Sequence, residues 1–162
     1  MPSILILCTA NMVRSPIAEV LLIQKLQNEP DSKEWKVGSA GTWTLPGKPA
    51  AQKTIEVMQR LYKIDLSTHR TKLVSRSLIR SFDLVLVMEA GQKEAIQSEF
   101  PELSKRVKLL YEMVGQVREV NDPIGGTSLD FEDTAKEIDD VLSRGLVNIL
   151  KLARGEKLKE GS

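Results

Sequence analysis

A parallel, doubly wound α/β sheet in a single domain is predicted on three observations. Four apolar runs of strand length lack strict polar alternation, helical periodicity fills the stretches between them, and 162 residues are close to the size of one domain. The first run covers residues 3–7. Ala18, Leu21, Leu22 and Leu26 then recur at three- and four-residue spacing behind Pro16, which suits a first helical turn, so a helix is predicted over 16–28. The second run is 35–39, with Trp35 packing at its entrance. Pro49 opens a segment in which Ile55, Met58, Leu61 and Tyr62 share a face, and a short helix follows Ser75. The third run is 84–88, the next helix is 90–100, stopped by Pro101, and the fourth run is 107–110.

Residues 113–128 carry an Asn-Asp-Pro turn and Gly125-Gly126 without periodicity, which predicts a long loop of the kind that carries function. A final helix places Ile138, Leu142, Leu146, Ile149 and Ala153 on one stripe, with acids in its first turn and bases near its end. Gly145 is expected to weaken it only modestly. The domain is expected to span 1–156, with 157–162 as a frayed tail. Strand–helix alternation forces right-handed crossovers, hence parallel strands buried on both faces.

Composition narrows the function. At 41% hydrophobic and 28% charged residues, the chain is neither disordered nor fibrous. A formal net charge of +1 gives no broad field for nucleic acid or an anionic membrane, so neither is expected as a partner. No apolar run approaches the roughly 20 residues of a membrane span, and the N-terminal segment lacks the basic start of a secretory signal; a cytoplasmic location is expected. One cysteine, Cys8, excludes an internal disulfide and a multi-thiolate zinc site, and the single histidine, His69, argues against most transition-metal sites.

The most informative stretch follows the first strand and precedes the first helix, where open parallel sheets bind ligands. It reads Cys8-Thr9-Ala10-Asn11-Met12-Val13-Arg14-Ser15, a thiol with an arginine six residues on. A loop curling there turns main-chain N–H groups inward and makes an anion nest that gains from the helix dipole. Residues 9–14 offer six amides, enough for the three non-bridging oxygens of a phosphate ester. Arg14 adds a permanently charged fork, and such positive surroundings favour a thiolate facing phosphorus.

The run CTANMVRSPIAE resembles the signature of the low-molecular-weight protein tyrosine phosphatase family. Gly38-Ser39-Ala40-Gly41-Thr42, the strand Asp83-Leu84-Val85-Leu86-Val87-Met88 and Asn121-Asp122-Pro123 are similar to further family segments, so the resemblance covers nearly the whole chain. It implies a single-domain three-layer sandwich with a four-stranded parallel sheet in order 2-1-3-4, flanked by helices. It also implies Cys8 as nucleophile, Arg14 as phosphoryl-binding group and Asp122 as general acid, with no metal and no cofactor. Proton balance agrees, because the leaving oxygen needs a proton and the later attacking water must lose one. Carried over from the family, Ser15 donates to the thiolate, with capping of the first helix as its structural role. Asn11 stabilises the loop in a left-handed conformation, its side chain held by Ser39 and His69.

Three departures from the family pattern bear on chemistry and substrate. Where many relatives carry a second cysteine this chain has Val13, so no neighbouring thiol can trap oxidised Cys8. Ile124-Gly125-Gly126 follows Asp122-Pro123 where tyrosine-specific members place aromatic residues, as in a bacterial branch that hydrolyses phosphoarginine; Met12, by contrast, resembles the tyrosine-directed members, and phosphotyrosine is preferred. The segment after Gly41 is about one residue shorter than in several relatives, which maps a wall residue to Trp43 or to Leu45; Trp43 is chosen, giving a substrate wall of Met12, Trp43 and Ile124.

The expected partners are a phosphorylated protein or peptide and inorganic phosphate as product, with the chain a monomer. A protein-arginine phosphatase is the chief alternative, followed by a phosphatase for small metabolites. An arsenate reductase would need further cysteines, and a non-catalytic phospholigand module would not need Cys8 and Asp122 together.

Overall fold

The computed structural model describes residues 1–158. In chain order the elements are β1 (Ser3–Cys8), α1 (Arg14–Leu26), β2 (Lys36–Gly41), α2 (Gln52–Tyr62), α3 (Arg76–Arg80), β3 (Leu84–Val87), α4 (Ala90–Glu99), β4 (Val107–Leu109) and α5 (Ser128–Ala153). All strand pairs are parallel and the sheet order is β2-β1-β3-β4. The chain is the parallel, doubly wound α/β sheet that strand–helix alternation predicts, with the three layers and the strand order that the family resemblance implies.

β1 is central and buried along its whole length, so its alternate side chains enter different cores. Ile4, Ile6 and Cys8 pack with Ile17, Leu21 and Leu22 of α1, Val57 and Met58 of α2, and Ile138, Val141 and Leu142 of α5. Leu5 and Leu7 face the other way, against Ile79 of α3, Ile96 of α4 and Phe100. The two-sided burial explains why this strand reads as a continuous apolar run. Its carboxyl end is Cys8.

Several boundaries differ from the sequence reading. α1 begins at Arg14, not residue 16, because the loop's last residues already adopt helical geometry, and it ends at Leu26. β2 starts after Trp35, which is buried as packing but stands outside the strand. The stretch predicted as a loop from 113 begins later: Leu110–Val114 forms a 3-10 turn, closed by Gly115 at φ 74°, and only residues 115–127 link it to α5. That turn buries Leu110, Tyr111 and Met113 against the core, a tertiary reason that local periodicity does not reveal. Pro101–Arg106 and Ser32–Glu34 are further 3-10 segments.

Gly145 does more than tolerate its helix. A Cβ there would lie 2.8 Å from Met113 Cβ and 3.2 Å from the Met113 carbonyl oxygen, so its missing side chain lets α5 approach the 3-10 turn. Of the predicted tail, residues 159–162 lie outside the described residues. Among the described residues, no helix is long and apolar enough to cross a membrane.

Candidate active site

The site forms where β1 ends and α1 begins. Residues 9–13 make a tight curl between them, and Asn11 holds φ at 58°, the left-handed conformation in which asparagine is among the least strained residues. Among the described residues, no main-chain N–H from Thr9 to Arg14 donates to a protein acceptor. These donors lie at the amino end of a 13-residue helix, which makes the curl a nest for an anion.

The curl is held from behind by β2 and the segment after α2. Thr42 N donates to Cys8 O at 2.9 Å and Trp43 N to Thr9 O at 3.0 Å. Gly41 permits this approach, because a Cβ there would sit 2.6 Å from the Thr9 carbonyl oxygen. Asn11 Nδ2 donates to Ser15 Oγ at 2.8 Å and to Ser39 Oγ at 3.0 Å, and its Oδ1 accepts from Lys72 N at 3.0 Å. His69 reaches Asn11 through the main chain, Nε2 donating to the Asn11 carbonyl at 2.8 Å. This corrects the expectation that His69 holds the Asn11 side chain. Burial, ahead of the other effects on it, lowers the His69 pKa below 6.5, as suits a neutral donor.

Cys8 is buried, with Sγ 3.0 Å from Ser15 Oγ. Ser15 lies inside α1 and does not cap it; Val13 occupies the cap position without a side-chain bond. Its hydroxyl therefore serves the loop. Ser39 passes the network on, donating to Glu19 Oε1 at 3.1 Å. The Glu19 pKa is raised, first of all by burial, while the Ser39 hydrogen bond and Lys72 pull it down.

Arg14 is 1% exposed, so its guanidinium lies almost wholly out of solvent. Nη1 donates to Val120 O at 2.9 Å and lies 3.3 Å from Glu89 Oε2; Nη2 lies 3.5 Å from Asp122 Oδ2. Val120 N in turn donates to Met88 O at 3.0 Å, and Ala90 N donates to Glu119 Oε2 at 2.7 Å. Those bonds bring a loop more than a hundred residues downstream of Arg14 onto its side chain. Asp122 turns one oxygen to Ile124 N, at 3.0 Å, and the other toward the guanidinium. The far end of the loop is fastened by Lys53, which donates to Gly126 O at 2.6 Å.

Cys8, Arg14, Ser15, Asn11, Ser39, His69 and Asp122 thus belong to one connected region. Met12 is half-buried against the core and its carbonyl accepts from Ala51 N, whereas Trp43 is 82% exposed beside Thr9, and Leu45 and Ile124 are also exposed. The sequence reading missed Glu89, Gln92, Val120 and Glu19. Glu89 and Gln92 had a signal: they follow a buried strand at its carboxyl end with the spacing of a capping box.

Residues 3–157 match the family model described as low molecular weight phosphotyrosine protein phosphatase. A probable low molecular weight protein-tyrosine-phosphatase EpsP of Ralstonia solanacearum is 37% identical over 131 residues, covering 81% of this chain and 84% of the relative. The protein-arginine-phosphatase of Bacillus subtilis is 33% identical over 152 residues, covering 93% and 98%. The crystal structure of a low molecular weight protein tyrosine phosphatase from T. tengcongensis superposes with a TM-score of 0.84 at 31% identity, covering 91% and 99%.

Proposed function

Because this chain belongs to the low molecular weight phosphotyrosine protein phosphatase family, whose enzymes depend on a cysteine, we propose that it dephosphorylates phosphotyrosine in proteins, with Cys8, Arg14 and Asp122 as its catalytic residues. The observation that carries the reading is the 3.5 Å approach of Asp122 to the guanidinium of Arg14, on the loop that starts with the chain's one thiol.

The chemistry follows from these groups. A phosphoryl group enters the nest of amides 9–14, where Nη1 of Arg14 is already committed to Val120 and Glu89, leaving Nε and Nη2 for phosphoryl oxygens. The Cys8 thiolate attacks phosphorus as the bond to the leaving oxygen breaks, and protonated Asp122 gives that oxygen its proton. Water then attacks the cysteinyl-phosphate, Asp122 takes its proton, and the thiolate departs with the hydroxyl of Ser15 donating to it. Phosphate is released and both groups return to their starting states. The amides and guanidinium stabilise the equatorial oxygens throughout.

Met12 and Trp43 favour an aryl substrate. Trp43 offers exposed apolar surface beside the loop and Met12 is a half-buried apolar residue of the loop itself, a lining that suits a phenyl ring better than the guanidinium of phosphoarginine, with its several N–H donors in need of acceptors. The 33% identity to a protein-arginine-phosphatase and the Asp122-Pro123-Ile124-Gly125-Gly126 sequence support the second reading, a phosphoarginine substrate. Dependence on a free thiol suits the reducing cytoplasm.

The test has two arms. Cys8→Ser should bind vanadate yet hydrolyse para-nitrophenyl phosphate at the background rate; substantial turnover would reject Cys8 as nucleophile. The wild type should show a higher kcat/KM for a phosphotyrosine peptide than for matched phosphoserine and phosphoarginine peptides, and a preference for phosphoarginine would overturn the substrate assignment alone.

A further inference from the structure

Gln92 stands in the first turn of α4, only 6% exposed, and every hydrogen-bonding position of its amide is occupied. Its Oε1 accepts from Met88 N and Glu89 N, both at 3.0 Å. Its Nε2 donates to Thr9 Oγ1 at 3.0 Å and to Glu89 Oε2 at 2.9 Å. Two main-chain donors on one side and a carboxylate on the other permit a single orientation, since an inverted amide would set N–H against N–H and oxygen against carboxylate. Capping α4 needs only the Oε1 bonds. The Nε2 bonds lead to the residue after Cys8 and to the carboxylate oxygen that faces Arg14 Nη1 at 3.3 Å.

We infer that Gln92 is a positioning residue for the phosphatase reaction, setting the Thr9 side of the loop and, through Glu89, the guanidinium of Arg14 in mutual register. The inference rests on the catalytic reading of Cys8 and Arg14. Gln92 contacts neither the thiol nor the phosphoryl group; it limits how Glu89 and Thr9 can move. A guanidinium free to lean with a loosened carboxylate still attracts a phosphate dianion but meets the trigonal-bipyramidal oxygens less well. Loss of Gln92 therefore lowers kcat more than it raises KM.

Gln92→Glu in the full chain is the primary test. It keeps shape and acceptors but replaces the two donors with a charged oxygen facing Glu89. With para-nitrophenyl phosphate at pH 7, kcat should fall by about tenfold to a hundredfold while KM changes by less than about threefold. The activity ratio of variant to wild type should rise as pH falls toward 5, because the introduced carboxyl, once protonated, sheds its charge and regains one donor. Gln92→Met should lose kcat with a ratio that does not recover in acid. Wild-type kcat in both variants, or a Gln92→Glu ratio flat with pH, would overturn the inference.

Should Gln92→Glu fail to fold, Thr9→Val decides, since it deletes the Nε2 acceptor and spares the cap of α4. A fall in kcat at unchanged Tm supports the inference, and unchanged kcat rejects it. An inactive wild type, or an active Cys8→Ser, would instead remove the catalytic reading on which it rests.

Discussion

The Sγ of Cys8 lies 3.0 Å from the Oγ of Ser15, and Asn11 Nδ2 donates to that same hydroxyl oxygen at 2.8 Å. Once Cys8 is a thiolate its sulfur can only accept, so the Ser15 hydroxyl, whose oxygen accepts from Asn11, is then the donor to it. Its alternative acceptor, Ala40 O, is farther away at 3.5 Å. Ser15→Ala should reduce kcat/KM for para-nitrophenyl phosphate by about 10- to 100-fold, the range for a hydrogen bond to a charged group. Steady-state kinetics beside a melting curve provide the check, and activity within twofold of wild type would remove Ser15 from the reaction.

Asp122→Ala should separate the two chemical steps by leaving group. An aryl leaving group with a low pKa departs without help, so the variant should retain a burst of para-nitrophenol while activity on a phenyl phosphate falls by about a further 10- to 100-fold. Equal losses on both esters would exclude proton donation by Asp122.

Gly145→Ala sets two effects against each other. Alanine favours the helix by about 1 kcal/mol, whereas forcing a methyl group onto the Met113 backbone costs about 1–3 kcal/mol. Because the contacts include a main-chain carbonyl that cannot swing aside, packing prevails and Tm should drop by about 2–5 °C. A Tm above wild type would show that α5 shifts freely over the 110–114 turn.

Glu19 carries a pH signature. Its pKa is raised above 4.5 in the folded chain, chiefly by burial, so its contribution to stability is full below 4.5 and is lost as pH rises through the folded value. Glu19→Gln keeps an acceptor for Ser39 without the charge. The variant should melt above wild type at pH 7, and the advantage should vanish below about pH 4.5. An advantage that persists in acid would refer the effect to packing instead.

Mild peroxide should inactivate the enzyme in a way that thiols reverse only in part. Position 13 is valine and the chain holds one cysteine, so sulfenic acid at Cys8 has no internal partner and proceeds to sulfinic acid. Activity recovered after dithiothreitol measures this, and full recovery would contradict it.

The parts of the site that were legible in the sequence are those that are contiguous. Cys8 to Ser15 read as a nest because strand, loop and helix start follow one another within the chain, and the strand order came with the family resemblance. What stayed hidden depends on partners far apart. Gln92 meets Thr9 across 83 positions, His69 meets the carbonyl of Asn11 across 58, and neither spacing carries a period. A carbonyl has no sequence identity, which is why the expected side-chain contact of His69 turned out to be a main-chain one. Helix propensity alone makes Gly145 a mild weakness of its helix, whereas the reason for a glycine there lies in Met113, which belongs to another element.

Val120 donates to Met88, the residue just after β3, and accepts from Arg14, so the polypeptide is pinned two residues ahead of Asp122. A two-residue leash stretches no farther than about 7 Å. Whatever bulk a phosphorylated partner carries above the mouth, the proton is therefore handed over by a carboxyl on a short tether to the buried cation, and substrates differ in how they present the departing atom, not in how far the acid travels to meet it.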